Sequence, residues 1–189
     1  MSKGAQLRQL IAQGPVMLPG VPNAAVARLV ERAGFDAVYI SGAGMANATA
    51  GVPDIGLLSM TEVVRLAGYI ANAVAIPAIV DADTGFGGAE NVARTIRELE
   101  TADLAGCHIE DQEFPKRCGH LAGKSLVDPE EMIAKIKAAV RVRRDQDFFI
   151  IARTDARAVE DFGRTVERAR SYVEAGADGI FPEALQSSE

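Results

Sequence analysis

The sequence predicts an α/β protein of the (β/α)8-barrel type, of which about the first six strands are present. Three observations carry that reading. Amphipathic helical stretches alternate with short apolar runs along the chain, the pattern of parallel strands joined by helical crossovers. Five of those runs end in polar chemistry, at YISGAG, VDADTG, HIEDQE, ARTDA and FPEA. A barrel gathers the ends of many strands at one mouth, whereas an open doubly wound sheet concentrates its ligands at a single switch point. Finally, Ala33-Gly34-Phe35-Asp36-Ala37-Val38 is echoed by Ala175-Gly176-Ala177-Asp178-Gly179-Ile180 at a second helix-to-strand junction, as expected of repeated βα units.

The elements follow in order. Leu7, Leu10 and Ile11 mark a short N-terminal helix, and PVMLPG after it reads as the first strand. Val26, Leu29, Val30 and Ala33 share one helical face, Gly34 stops that helix, and AVYIS is a buried strand. Ser59-x-x-Glu62 is a capping box opening a helix with Val63, Leu66, Ala67 and Ile70 on one side, and the strand PAIVDAD follows. Val92, Ile96 and Leu99 define the next helix, ahead of the strand CHIED. Asp128-Pro129-Glu130-Glu131 combines a capping Asp, Pro at the first helical position and acids in the first turn. That helix leads to FFIIARTD, and one bearing Val166, Ala169 and Val173 leads to GIFPEA.

A barrel of this kind takes about 250 residues. The 189 residues here run to Ser187-Ser188-Glu189, just past the sixth strand. The expectation is therefore one domain over 1–189, a C-terminally truncated part of a barrel. Nearly half the residues are hydrophobic, at 48%, which is enough for one substantial core. A net charge of −6 with dispersed Lys and Arg argues against nucleic acid or a membrane surface as partner. The apolar runs are too short and too interrupted for a transmembrane helix. MSKGAQLRQLIAQG lacks the apolar block of a secretory signal. With two cysteines, Cys107 and Cys118, a reducing cytoplasm is the expected setting.

The strand ends supply the candidate site. Asp81 and Asp83 lie two apart, so on a strand both carboxylates face the mouth. Two such groups repel unless a cation lies between them, and Mg2+ suits one or two carboxylates plus waters and substrate oxygens. Glu110 ends the next strand as a third acid. The alternative is that Asp83 merely shapes the Asp-Thr-Gly turn and Asp81 is solvated. Ser41-Gly42-Ala43-Gly44 lets backbone amides approach a carboxylate or phosphate, or simply forms a Gly-rich loop. Tyr39 shares the face of Ser41 and reads either as a mouth hydroxyl or as a core aromatic. Arg153 suits a substrate carboxylate, or a structural ion pair with Asp155 or Glu183. The stretch FPKRCGHLAGK places Cys118 and His120 in a basic, Gly-rich loop. Zinc fits poorly, because Cys107 and His108 are strand neighbours facing opposite sides and the spacing matches no zinc motif. A reactive thiol fits better, with Lys116, Arg117 and a protonated His120 favouring thiolate. Cys107, on a strand, reads as an inert buried residue.

The set SGAG, VDADTGFG, HIEDQ, KRCGH, ARTDA and FPEA resembles the isocitrate lyase/phosphoenolpyruvate mutase superfamily, in order and over essentially the whole chain. KRCGH with SGAG is most similar to its 2-methylisocitrate lyase branch. The resemblance implies Mg2+-dependent retro-Claisen cleavage of 2-methylisocitrate to pyruvate and succinate, with Mn2+ as an alternative ion. Asp81, Asp83 and Glu110 would surround the metal, directly or through water. Ser41, Gly42 and Ala43, with Arg153, would hold the carboxylate of the pyruvate portion, and Tyr39 would be the base. Cys118 would donate the quenching proton, with Gly119 and His120 placing the succinate end and Glu183 contacting substrate. Isocitrate, 2,3-dimethylmalate and oxaloacetate are alternative substrates on the same site. A phosphonate C–P bond enzyme and an inactive truncated barrel are the other readings. The family also implies a homotetramer with a helix swapped between subunits.

Overall fold

The computed structural model describes residues 1–185. Six strands, β1 (Gly20–Val21), β2 (Val38–Ile40), β3 (Ala78–Asp81), β4 (Gly106–Glu110), β5 (Phe149–Thr154) and β6 (Gly179–Pro182), pair in parallel in strict sequence order. A doubly wound sheet reverses its order at a switch point; an unbroken order is the barrel arrangement. The helices are α1 (Lys3–Gln13), α2 (Ala24–Arg32), α3 (Gly42–Met45), α4 (Met60–Ala71), α5 (Ala89–Thr101), α6 (Pro129–Val142) and α7 (Phe162–Glu174). Among the described residues, no helix is long and apolar enough to cross a membrane.

Period-two alternation sorts every strand into two faces. Val38, Ile40, Val80, Cys107, Ile109, Ile150 and Ala152 join the core between sheet and helices. The opposite parity faces inward. At the N-terminal end, Ile79, Phe149 and Ile151 pack with Leu7 of α1, Val16, Leu18, Ala37 and Ala105 as a plug. Above that plug the same parity brings up Tyr39, Asp81, His108, Glu110 and Arg153, through the register pairs Tyr39–Ile79, Asp81–His108 and Glu110–Arg153. An apolar floor thus supports a polar mouth.

The local signals mostly hold. The capping box is complete: the Ser59 amide donates to Glu62 Oε2 at 2.8 Å and the Glu62 amide donates to Ser59 Oγ, a cap worth about 1 kcal/mol. Four expectations need correction. The first strand is Gly20–Val21, not PVMLPG: Pro15 and Pro19 have no N–H to donate, and Val16 and Leu18 pack under the sheet instead. Leu29 of α2 is 62% exposed, while Ala27 is the buried residue of that helix. The buried face of α7 is Thr165, Arg168 and Tyr172, and Val173 is 52% exposed. Arg168 and Tyr172 turn inward because Asp111 is buried there: Tyr172 donates its hydroxyl to Asp111 Oδ2 at 2.8 Å, and Arg168 stands 3.7 Å from the same oxygen. Asp128 makes no side-chain cap; Pro129 and the first-turn acids start α6 without it.

Candidate active site

The mouth is assembled from residues far apart in sequence. Asp81 closes β3 and is buried, and its Oδ1 accepts the backbone N–H of Asp83 at 3.0 Å. The strand ends at Asp81, so the two carboxylates are not side by side on one strand face as the spacing suggested. Asp83 lies in the following turn with φ 47°, and its Oδ1 meets Lys116 Nζ at 2.8 Å. It both shapes the turn and faces the site. Lys116 also pairs with Asp54, from the segment before α4. Lys116 is thus committed to carboxylates, and the Arg117 guanidinium to the Ala122 carbonyl at 3.2 Å. Neither serves the thiol in the way the basic run suggested.

Tyr39 and His108 form the inner wall. The Tyr39 hydroxyl stands 2.9 Å from His108 Nε2 and donates to Asp81 Oδ2 at 3.3 Å. Their rings stack at 5.6 Å, and Phe181 meets the imidazole edge-on at 5.5 Å. Burial, then the charge of Asp81, pushes the phenol well above its usual pKa. Burial also pushes the imidazole below its usual value, against the pull of Asp81. His108 is therefore neutral at neutral pH. Sequence reasoning considered it only as a zinc ligand and missed it, although it shares the parity of Glu110 and had to point the same way.

Arg153 is surrounded by acids. Asp155 receives it twice, from Nε at 3.0 Å and from the guanidinium terminus at 3.2 Å. Glu110 Oε2 lies 3.4 Å and Glu183 Oε2 3.7 Å away. Burial opposes ionisation of Asp155, but Arg153 and Lys124 outweigh it and hold its carboxyl below the usual range. Burial raises Glu110 well above its usual range despite Arg153, and Glu110 Oε1 is buried without a hydrogen-bond partner. Asp83 is pushed up to about 6, by burial first and the neighbouring Asp81 charge second. Burial also opposes ionisation of Asp81, yet the positive charges of His108 when protonated, Lys116 and Arg153 hold it below its usual value.

Glycines set how closely the loops approach. Ser41 caps α3, its Oγ accepting the Gly44 N–H at 3.0 Å. SGAG is therefore a first helical turn rather than an open loop. A Cβ on Gly42 would lie 2.7 Å from Asp81 Oδ2, so only glycine lets this turn pass the carboxylate. Ala43 follows in the same turn. Gly119 plays the same part on the far side, where a Cβ would fall 2.6 Å from Glu183 Oε1. The loop bearing Cys118 thereby reaches Arg153 and Glu183, with Cys118 half-buried and His120 exposed. Beside Asp83 and Lys116 lies a largely apolar cavity of about 440 Å³, walled by Leu57, Leu58, Phe86 and Phe114.

The donors fit a hard divalent cation. Asp54, Asp81, Asp83, Glu110, Asp155 and Glu183 face Lys116, Lys124 and Arg153, so carboxyl groups outnumber fixed cations two to one. Glu110 has a free buried oxygen. Among the described residues, no group of three or more His, Cys, Asp or Glu side chains is close enough to form a ready cage.

Residues 7–189 match the family model described as phosphoenolpyruvate phosphomutase. The chain is 56% identical over 187 residues to a 2-methylisocitrate lyase of Aeropyrum pernix, covering 98% of this chain and 60% of that protein. A crystal structure of 2,3-dimethylmalate lyase superposes with TM-score 0.94 at 39% identity, covering 100% of this chain and 64% of that one. Phosphonopyruvate hydrolase in complex with oxalate and Mg2+ superposes with TM-score 0.90 at 37% identity, covering 100% and 65%. The chain spans about three-fifths of the length of the curated relatives it matches.

Proposed function

The chain belongs to the phosphoenolpyruvate mutase/isocitrate lyase family, and from that premise we propose that it carries the catalytic mouth of a carbon–carbon lyase acting on 2-methylisocitrate or a close 2-hydroxy di- or tricarboxylate. The observation that carries the reading is the convergence of Tyr39–His108, Asp81, Glu110, Arg153 and the Gly119 loop on one mouth. Asp81, Asp83 and Glu110 would hold Mg2+, which when bound supplies Lewis-acid polarisation of the hydroxy-acid oxygens.

The chain's own residues do the rest. Arg153 and the first turn of α3 at Ser41, Gly42 and Ala43 orient the carboxylate of the portion that leaves as pyruvate. Tyr39 takes the substrate hydroxyl proton as its own hydrogen, which rests on Asp81 Oδ2, turns to the neutral His108 Nε2 2.9 Å away and passes to it. The C–C bond then breaks, its electron pair moving onto the succinate carbon. Cys118 delivers a proton to that carbon, with Gly119 and His120 lining the succinate end and Glu183 at its margin. A thiol can serve as the donor here, and the half-buried position of Cys118 in a largely exposed loop lets it reload from solvent.

The test is pyruvate release from 2-methylisocitrate, followed by coupling to lactate dehydrogenase. C118S is expected to lower kcat by about 10²-fold or more; turnover at the unmodified rate would remove the proton-donor role. EDTA is expected to abolish release and Mg2+ to restore it, and indifference to chelation would remove the metal. A panel with isocitrate, 2,3-dimethylmalate and oxaloacetate ranks the substrate. Cleavage of phosphonopyruvate alone, unaffected by C118S, would move the chain to the phosphonate branch.

A further inference from the structure

Lys124 ends the loop that carries Cys118, and its position is unusual. Residues 120–123 before it are exposed, yet its side chain is only 1% exposed. Its ammonium lies 3.0 Å from Asp155 Oδ1 and also donates to the Gly119 carbonyl. Asp155 in turn receives the Arg153 guanidinium on both oxygens. Asp155 is fixed from behind, because its backbone N–H donates to Asp111 Oδ1 at 3.0 Å. Asp111 Oδ2 accepts from Thr154 at 2.7 Å and from Tyr172 at 2.8 Å.

The base of the loop is closed independently. Glu113 donates its N–H to Ser125, and Gln112 pairs with Leu126 in an isolated bridge. The Gln112 side chain holds both backbone groups of Arg117. None of these contacts reaches the tip at 118–120. Before the tip, Lys116 anchors the loop to Asp83 and Asp54; after it, the connection to the barrel runs through Lys124, aided by the close fit of Gly119 against Glu183.

We infer that Lys124 is a latch that holds the Cys118 loop against the mouth, and that Asp155, gripping Lys124 and Arg153 together, couples the placement of the loop to that of the guanidinium. Both are positioning residues, since neither need touch the reacting atoms. A buried ammonium stripped of its partner carries a large desolvation penalty, so the latch is either engaged or withdrawn into water with the loop. Its catalytic meaning rests on the lyase reading above; its geometry does not.

The test reads the loop without turnover. Cys118 and Cys107 are alkylated by iodoacetamide at pH 7.5, and each rate is followed separately by mass spectrometry. Cys107 is fully buried and reports global opening. In Lys124→Met, which keeps the buried stem and removes the charge, Cys118 is expected to react at least about tenfold faster while Cys107 stays protected, and tryptic cleavage after Arg117 is expected to rise with it. If Lys124→Met also exposes Cys107, Asp155→Asn attacks the same pair from the other side with the same expectation. Wild-type kinetics at Cys118 in whichever variant keeps Cys107 protected overturns the latch. The two readings fail separately. Faster alkylation in an enzyme whose C118S variant still turns over sinks the proton donor and leaves the latch standing. Unchanged alkylation in a C118S-sensitive lyase does the reverse.

Discussion

Asp83 offers a measurement that needs neither substrate nor the rest of the catalytic cycle. Its carboxyl is raised from 3.8 to about 6 in the folded protein, so the fold binds this proton more tightly than the unfolded chain does. The stabilisation is therefore complete below about pH 4 and is lost as pH rises through 6. At about 1.4 kcal/mol per tenfold, that gap corresponds to roughly 3 kcal/mol. The carboxylate is 13% exposed and shares its charge with Asp81 and Lys116, which brings the expected effect to about 1–2 kcal/mol. Asp83→Asn removes the titration while suiting the backbone, because φ 47° is a conformation that Asn accepts readily. Lys116 keeps Asp54 as a partner. The chain has no Trp, so melting is followed by circular dichroism, in EDTA, from pH 4.5 to 7.5. For a protein of this size, about 2–4 °C follows each kcal/mol. About two-thirds of that effect falls between pH 4.5 and 7.5, so the wild-type Tm is expected to fall by about 1–5 °C relative to D83N across that range. Saturating Mg2+ at pH 7.5 should restore the wild type, by about 2.7 kcal/mol at a hundredfold excess over Kd, and restore D83N less. Parallel pH curves for the two proteins would show that Asp83 is not strained by its neighbours, and the cation argument would lose its main electrostatic support.

Two further outcomes bear on the same mouth. Gly42→Ala places a methyl 2.7 Å from Asp81 Oδ2, and is expected to cost about 1–3 kcal/mol in stability and to weaken Mg2+ binding. A wild-type melt with unchanged Mg2+ affinity by calorimetry would refute the close approach. Tyr39→Phe removes the hydroxyl 2.9 Å from His108 Nε2 and keeps the stacked ring, so kcat is expected to fall by about 10²-fold or more with little change in Tm; a kcat near wild type would leave Tyr39 as wall only.

What the sequence made legible follows period and punctuation. Strand ends, the capping box at Ser59 and the inward parity of Tyr39, Asp81, Glu110 and Arg153 are local properties, and local rules found them. Asp83 was misplaced because spacing shows that two residues are two apart, not where the strand stops. The inward face of α7 differs because hydrophobicity favours Val166, Ala169 and Val173, while the buried carboxylate of Asp111, just past β4, draws in Arg168 and Tyr172. Lys116–Asp54 and Lys124–Asp155 join positions 62 and 31 residues apart. Nothing local in the chain marks such pairs.

The charge arrangement explains why a thiol loop and an oxygen-rich cluster share one mouth. A guanidinium alone would bind a substrate carboxylate tightly but without direction. Asp155 fixes the guanidinium plane through two hydrogen bonds, and burial raises the Glu110 carboxyl beside it well above its usual range. Arg153 therefore keeps positive character toward the mouth although three carboxyl groups surround it. Filling the Asp81–Asp83–Glu110 side with a divalent cation would lower the cost of ionising Glu110 and Asp83 and sharpen that polarity. Because Asp155 also holds Lys124, on the proposed reading the group that would orient one end of the substrate is bonded to the group that would set the distance of Cys118 from the other. A substitution at Asp155 should consequently disturb both ends at once, whereas one at Glu183, which touches Arg153 only at 3.7 Å, should disturb chiefly its own.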